Sequence, residues 1–179
     1  MLLREFIKDK KVAAIAESSP FVVKQVCSEI DFQKTKTILE LGSGNGTITK
    51  ALLKRMHPNA RLIAIEQNRE FVRALTKIFD PHLTVIQDSA EHMRSILGEL
   101  HVERCDVVIS GIPFSMMKDE VGIQLACDMY DVLSENGICI AYQFRDTICH
   151  YLKIAGFKKI KRKIEIINLP PAQIFIAKK

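Results

Sequence analysis

The chain has 179 residues, of which 47% are hydrophobic and 26% are charged, and it carries a formal net charge of +5. These values are ordinary for one folded domain, and they exclude a disordered chain, a collagen-like repeat and a coiled coil. No apolar run reaches the roughly 18 residues that a membrane-spanning helix needs, and charged residues begin too early for a secretory signal.

The first 35 residues differ in pattern from the rest of the chain, and we expect them to form a helical extension. Apolar and basic residues there fall mostly on different helix faces: Leu2, Leu3, Phe6, Ile7 and Ala14 against Arg4, Lys8, Lys10 and Lys11. A basic amphipathic helix of this kind binds a membrane surface or packs on the domain as a lid, and the sequence leaves both readings open. A second helix is expected to begin with Ser19 as its N-cap and Pro20 at its first position.

From residue 36 to residue 179, strand-like runs alternate with helical patterns, which predicts one α/β domain. The predicted strands are 38–41, 62–65, 83–86, 106–109, 138–144, 157–167 and 174–177, and the predicted helices are 47–56, 68–81, 90–100, 118–134 and 147–155. This order indicates a mostly parallel sheet with helices on both faces. The last two strands have no helix between them, so we expect them to pair antiparallel.

The positive charge is concentrated near the end of the chain. Six basic residues and no acid lie between positions 153 and 163, namely Lys153, Lys158, Lys159, Lys161, Arg162 and Lys163. Such a patch suits phospholipid head groups or a nucleic-acid backbone, but lysines also protect a solvated edge strand from pairing. The five cysteines form no C-x-x-C pair and most lie in apolar stretches, so we expect buried thiols in a reducing cytoplasm. The scattered histidines predict no metal site.

A glycine-rich turn, residues 40–46, follows the first predicted strand and precedes a helix. In an open α/β sheet this is the carboxyl edge where ligands bind. Glu66 ends the second strand, where it can accept hydrogen bonds from both ribose hydroxyls, although a capping or surface acid would explain it equally well. Asp88 ends the third strand, where it can accept from an adenine amino group. Together these features predict an adenosine-containing ligand.

These residues resemble the motifs of class I S-adenosylmethionine-dependent methyltransferases over about positions 37 to 179. The resemblance implies a Rossmann-like fold of seven strands with an antiparallel last strand, and S-adenosylmethionine as the cofactor. The glycine turn would line its methionine and ribose parts, and Glu40 would help to place the amino-acid end. The implied cofactor-binding residues are Glu40, Gly42, Ser43, Gly44, Gly46, Glu66, Gln67, Asp88 and Ser89.

The loop after the fourth strand, residues 110–115, is similar to the Asn/Asp-x-Pro-aromatic loop of adenine methyltransferases, including the ribosomal RNA adenine dimethylases. Gly111 stands where those enzymes have Asn, and it opens room. The missing amide matters more for a weakly nucleophilic aromatic amine than for an aliphatic amine. We also expect this protein to differ from the ribosomal enzymes in lacking the helical domain that follows their catalytic domain. Both differences count against nucleic acid as the substrate.

A closer resemblance, over nearly the whole chain, is to bacterial phospholipid N-methyltransferases. It is carried by residues 4–8, 14–19, 110–114, 142–144 and 168–172. It implies methylation of an amine of the phosphatidylethanolamine type by a monomer that associates peripherally with an anionic phospholipid surface on the cytoplasmic side. The alternatives left open are an RNA adenine methyltransferase, an enzyme for another small amine, and a non-catalytic binding module.

The expected reaction is an in-line displacement, in which the protein aligns, desolvates and deprotonates the amine. The Ser110 and Gly111 carbonyls can accept from the amine, and Tyr142 can hold it by its hydroxyl or by a cation–π contact. The implied catalytic residues are Ser110, Gly111, Pro113 and Tyr142, and the implied substrate-binding residues are Ser18, Ser19, Phe114 and Asn168.

Overall fold

The computed structural model describes residues 19–166 and 171–179, which form one seven-stranded sheet with helices on both faces. The strands are β1 (Thr37–Leu41), β2 (Arg61–Glu66), β3 (Leu83–Gln87), β4 (Cys105–Ser110), β5 (Leu133–Gln143), β6 (Lys159–Glu165) and β7 (Ala172–Lys178). Their order across the sheet is β3-β2-β1-β4-β5-β7-β6. The strands β1 to β5 pair in parallel, whereas β7 runs antiparallel to both β5 and β6. The predicted mostly parallel sheet with an antiparallel last strand is confirmed.

Six α-helices lie within the described residues. They are α1 (Pro20–Ser28), α2 (Thr47–Leu53), α3 (Arg69–Leu75), α4 (Met93–Glu99), α5 (Asp119–Val132) and α6 (Thr147–Ile154), with short 3-10 helices at Ala90–His92 and Phe114–Met116. The predicted start of α1 is confirmed, because the Ser19 hydroxyl accepts from the Val22 N–H at 3.3 Å. The amphipathic helix predicted before Ser18 lies outside the described residues.

Several predicted boundaries are wrong. The helix expected to reach Pro81 ends at Leu75, and Phe79, assigned to its buried face, is 98% exposed. Its last turn closes early because the Ile78 N–H donates to the Leu75 carbonyl at 2.9 Å. The strand expected to begin after Gly137 begins at Leu133, and its pairing with β4 shifts register beside Cys105. An apolar pattern cannot reveal such a shift, because the extra residues are polar ones inside a strand.

Two apolar layers, one on each face of the sheet, hold the helices in place. Along β1 the side chains alternate, so that Ile38 packs under α1 and α2 while Leu39 and Leu41 pack under α4 and α5. Every residue of β1 is buried, which explains its nearly continuous apolar sequence. The carboxyl edge of the sheet is therefore a rigid platform for the residues that follow each strand.

All five cysteines are free thiols, as expected, but only three of them are buried. Burial raises the pKa of Cys105 to about 12 and also raises that of Cys139. Cys127 and Cys149 are partly exposed, contrary to the prediction for the whole set. The two raised pKa values make Cys105 and Cys139 inert packing residues at neutral pH.

Candidate functional site

A cleft of about 300 Å³ opens at the carboxyl edge of β1, β2, β3 and β4. The structure brings eight of the predicted site residues together in its lining: Gly42, Gly44, Glu66, Gln67, Asp88, Ser89, Gly111 and Pro113. Sequence reasoning missed six others: Ile65, Phe71, Ala90, Glu91, Ile112 and Met117. Most of these are apolar, and nothing in the sequence distinguishes them from core residues.

The glycine turn leaves β1 along a path that only glycine follows easily. Gly42 has a φ of 71°, and a Cβ there would lie 3.0 Å from Cγ1 of Ile112. Gly44 has a φ of 54° and faces open space, with no atom within 4 Å of the position that a Cβ would take. The turn therefore leaves main chain facing the cleft with room for a ligand against it.

Glu66 ties the glycine turn to the end of β2. It is 7% exposed; one carboxylate oxygen accepts from the Gly44 N–H at 2.9 Å and the other from the Asn68 N–H at 2.8 Å. Each oxygen keeps a second lone pair, so these bonds leave acceptor capacity for a ligand. The residue that caps α3 is Asn68, whose side chain accepts from the Glu70 N–H at 2.9 Å, so Glu66 does not have the capping role that the sequence left open.

Asp88 forms a pair that the sequence analysis did not identify. Oδ1 of Asp88 lies 2.7 Å from Nδ1 of His92 and also accepts from the Ser89 N–H at 2.6 Å. The hydrogen bond with His92 lowers the pKa of Asp88, and the same bond raises the pKa of His92. Asp88 precedes Ser89, the N-cap of the 3-10 helix Ala90–His92, so the pair depends on a turn whose geometry the sequence does not reveal.

Three predicted cofactor residues lie behind the cleft wall instead of lining it: Glu40, Ser43 and Gly46. Glu40 is fully buried, with Oε2 accepting from the Thr49 hydroxyl at 2.7 Å. Burial raises the pKa of Glu40 to about 7. Its Oε1 and the Ser43 hydroxyl are buried without a hydrogen-bond partner. Such unsatisfied groups are costly, and they are expected at functional sites more than elsewhere.

Gly111, which follows β4 and lines the cleft, is in direct contact with Tyr142, which is not among the lining residues. A Cβ at position 111 would lie 2.7 Å from Cζ of Tyr142 and 3.0 Å from the Gly42 carbonyl oxygen. Tyr142 is only 5% exposed. The room that the sequence analysis attributed to Gly111 is therefore filled by this tyrosine. An Asn at position 111 would displace Tyr142 whatever the substrate, so that substitution cannot distinguish RNA from lipid.

Of four further residues predicted for the site, two are buried and do not line the cleft, and two lie outside the described residues. Phe114 is fully buried in the core beside Tyr151, with ring centroids 6.1 Å apart, so the expectation that it contacts substrate is wrong for this structure. The Ser110 side chain is buried, and its hydroxyl accepts from the Ile112 N–H at 3.3 Å. Ser18 and Asn168 lie outside the described residues.

The cationic patch is partly neutralised by neighbours. Lys163 forms an ion pair with Glu29, and Arg162 lies 3.8 Å from an Asp146 carboxylate oxygen. Lys153, Lys158, Lys159 and Lys161 are exposed. Ile164, 55% exposed, lies beside them on β6. Among the described helices, none is both long and apolar enough to cross a membrane.

Comparison with known proteins identifies the family of the chain. Residues 38–137 match the family model described as a methyltransferase domain. The chain is 26% identical to an ornithine lipid N-methyltransferase of Singulisphaera acidiphila over 99% of this chain and 94% of that protein. It is also 26% identical to a protein of Methanospirillum hungatei named as ribosomal RNA small subunit methyltransferase A, over 63% of this chain and 44% of that protein.

A solved structure has the same architecture. A SAM-dependent methyltransferase from Archaeoglobus fulgidus aligns with a TM-score of 0.70 and 14% identity, covering 98% of this chain and 99% of that one. At this identity the likeness establishes the fold.

Proposed function

We propose that this chain, which belongs to the methyltransferase domain family, methylates the amine of a lipid head group at a membrane surface. Membership of the family makes it an S-adenosylmethionine-dependent methyltransferase. The observation that carries the lipid proposal is the near full-length similarity to an ornithine lipid N-methyltransferase. The similarity to the ribosomal RNA enzyme stops at 63% of the chain.

The residues of the cleft fit the cofactor. We assign its ribose to the free lone pairs of Glu66, its adenine end to Gln67, Asp88 and Ser89, and its amino-acid end to the glycine turn. The open space at Gly44 supports this orientation. Because Glu40 lies behind the wall, we assign it a supporting role: it binds the Thr49 hydroxyl of α2, the helix that follows the glycine turn.

The acceptor side fits a small amine. Bound S-adenosylmethionine supplies a methyl group on a positively charged sulfur, which a neutral amine attacks in line. We assign the amine to the cleft wall at Gly111, where main-chain carbonyls accept from its N–H groups; Tyr142 contacts this glycine but is itself buried. Gly111 itself adds no side chain to this wall, which Ile112, Pro113 and Met117 also line, so main-chain carbonyls and apolar groups would hold an aliphatic amine there.

A transfer assay with a labelled methyl group tests this proposal. The acceptors are vesicles containing phosphatidylethanolamine, vesicles containing an ornithine lipid, vesicles of phosphatidylcholine alone, and total RNA. We expect label in one or both amine-containing vesicles and none in phosphatidylcholine vesicles or RNA. Label in RNA alone would contradict the lipid proposal and support adenine methylation, for which the similarity to the ribosomal RNA enzyme is the specific argument.

A further inference from the structure

The loop 111–114 forms one wall of the cleft but makes few main-chain bonds to the sheet. Gly111, Ile112 and Pro113 line the cleft. The Gly111 N–H donates to the Leu41 carbonyl at 3.0 Å, and Pro113 has no N–H to donate. Beyond its first residue, the position of this wall therefore depends on neighbouring side chains.

The end of β5 holds both ends of this loop. Tyr142 and Gln143 are consecutive strand residues, so their side chains point to opposite faces of the sheet. The Tyr142 ring packs against Gly111 at the start of the loop. On the other face, Oε1 of Gln143 accepts from the Phe114 N–H at 3.1 Å, at the end of the loop.

Both ends of the Gln143 amide are used. The side chain is 4% exposed, and its Nε2 donates to the Arg145 carbonyl at 2.5 Å while Oε1 binds the Phe114 N–H. Only an amide offers an acceptor and a donor in this geometry. The two bonds fix the orientation of Gln143, and Gln143 in turn fixes the main chain at Phe114.

The Phe114 ring is anchored independently of Gln143. It packs beside Tyr151, whose hydroxyl donates to an Asp119 carboxylate oxygen at 2.7 Å. A Cβ at Gly122 would lie 2.5 Å from Cε2 of Tyr151, so this ring is also closely packed. Loss of the Gln143 bond should therefore leave the ring in the core and loosen only the main chain of the cleft wall.

We infer that Gln143 is a positioning residue for methyl transfer, acting through the main chain of the loop 111–114. The inference rests on the proposed location of the acceptor at this wall but not on which amine is methylated. A displacement of about 1 Å near reacting atoms can lower a rate on the order of 100-fold. Because the hydrogen bonds of Glu66 and Asp88, the residues assigned to ribose and adenine, do not involve this loop, cofactor affinity should change little.

The test compares Gln143→Met with Gln173→Met. Gln173 is the paired residue on β7 and donates to the Phe144 carbonyl at 2.8 Å without touching the loop, so it is a matched control. With the acceptor identified in the labelled-methyl assay, Gln143→Met should lower kcat by roughly 10- to 100-fold and leave the Kd for S-adenosylmethionine within about twofold. Gln173→Met should stay within about twofold of the wild type in both quantities.

Amide hydrogen exchange gives a second readout that needs no acceptor. Exchange at Phe114 should be faster in Gln143→Met and unchanged in Gln173→Met, because only the first variant removes the acceptor of that N–H. Unchanged exchange at Phe114, or equal losses of kcat in the two variants, would overturn the inference. Failure of the wild-type protein to methylate lipid would instead overturn the proposed function, and the exchange result would still stand by itself.

Discussion

The cofactor side of the cleft, at the ends of β1, β2 and β3, differs from the acceptor side, at the ends of β4 and β5, in how its groups are held. On the cofactor side, main chain and carboxylates bind each other directly, as Glu66 binds the Gly44 and Asn68 N–H groups. On the acceptor side, a glycine accommodates a tyrosine from another strand and a buried amide holds the loop. On the first side, hydrogen bonds join residues of motifs that the sequence marks; on the second, the contacts form between residues of β4, β5 and the following loop whose partners the sequence does not mark.

The largest effect should follow from replacing Glu66 on the cofactor side. Glu66→Ala removes the acceptor of two main-chain N–H groups, and hydrogen bonds to charged groups are worth about 1.5–3 kcal/mol each. We expect the Kd for S-adenosylmethionine to rise on the order of 100-fold or more in calorimetry. Glu70→Ala, an exposed acid on α3, is the control. Equal affinity in Glu66→Ala and Glu70→Ala would mean that Glu66 does not hold the cofactor.

The second-largest effect should follow from a substitution at Gly111 on the acceptor side. Gly111→Ala introduces a Cβ 2.7 Å from Cζ of Tyr142, and overpacking of this kind costs about 1–3 kcal/mol of unfolding free energy. Urea denaturation measures the loss. The double variant Gly111→Ala/Tyr142→Ala removes the clash with the tyrosine ring, leaving only the closer approach to the Gly42 carbonyl, so the two changes should destabilise by less than the sum of their separate effects. Strict additivity would show that the two residues are not in contact.

The comparison also shows which parts could be predicted from the sequence. The seven strands, the glycine turn and the acids at positions 66 and 88 were readable, because strand period, glycine and strand-end acids are local signals. The Gly111–Tyr142 contact was not readable, because the two residues are 31 positions apart and their proximity depends on the pairing of β4 with β5. Gln143 was quoted as part of a family likeness, but its bond to Phe114 required the fold.

Element ends were the weakest part of the sequence analysis. Phe79 fits the apolar spacing of α3, yet the chain turns at Thr76 and leaves the ring in solvent. Glu40, Ser43 and Phe114 belong to recognisable motifs but lie behind the cleft wall. A motif therefore identified the neighbourhood of the site correctly, whereas the direction of each side chain depended on tertiary packing.

A smaller effect concerns the membrane surface. The double variant Lys158→Gln/Lys161→Gln removes two exposed charges, each worth about 1 kcal/mol near an anionic bilayer. Sedimentation with anionic vesicles at low salt should show binding weaker by roughly 30-fold. The control Lys50→Gln/Lys54→Gln removes two exposed charges on and after α2. An equal loss of vesicle binding in the control would indicate a general effect of net charge and would contradict a specific role for this patch.

The smallest effect concerns the exposed pair of Asp88 and His92. The pKa of His92 is raised, so protonated His92 stabilises the folded protein. This contribution is complete below the ordinary pKa of histidine and is lost as pH rises through the raised value. The pKa of Asp88 is lowered, so its stabilisation is present above its ordinary pKa and is lost as pH falls through the lowered value. The wild type should therefore exceed His92→Ala in stability mainly between roughly pH 4 and 6.5. Denaturant titrations measure the free energy of unfolding of both proteins. A difference between wild type and His92→Ala that grows above about pH 8 would contradict this pairing.

The central claim is that the carboxyl edge of β1, β2 and β3 binds the adenosyl part of the cofactor. A crystal structure of the protein with S-adenosylhomocysteine tests it most directly. The account predicts the ribose hydroxyls within hydrogen-bond distance of Glu66, the adenine near Asp88, and the amino-acid end against the glycine turn. Ligand density elsewhere on the protein, with this cleft empty and Glu66 still bound only to Gly44 and Asn68, would contradict it.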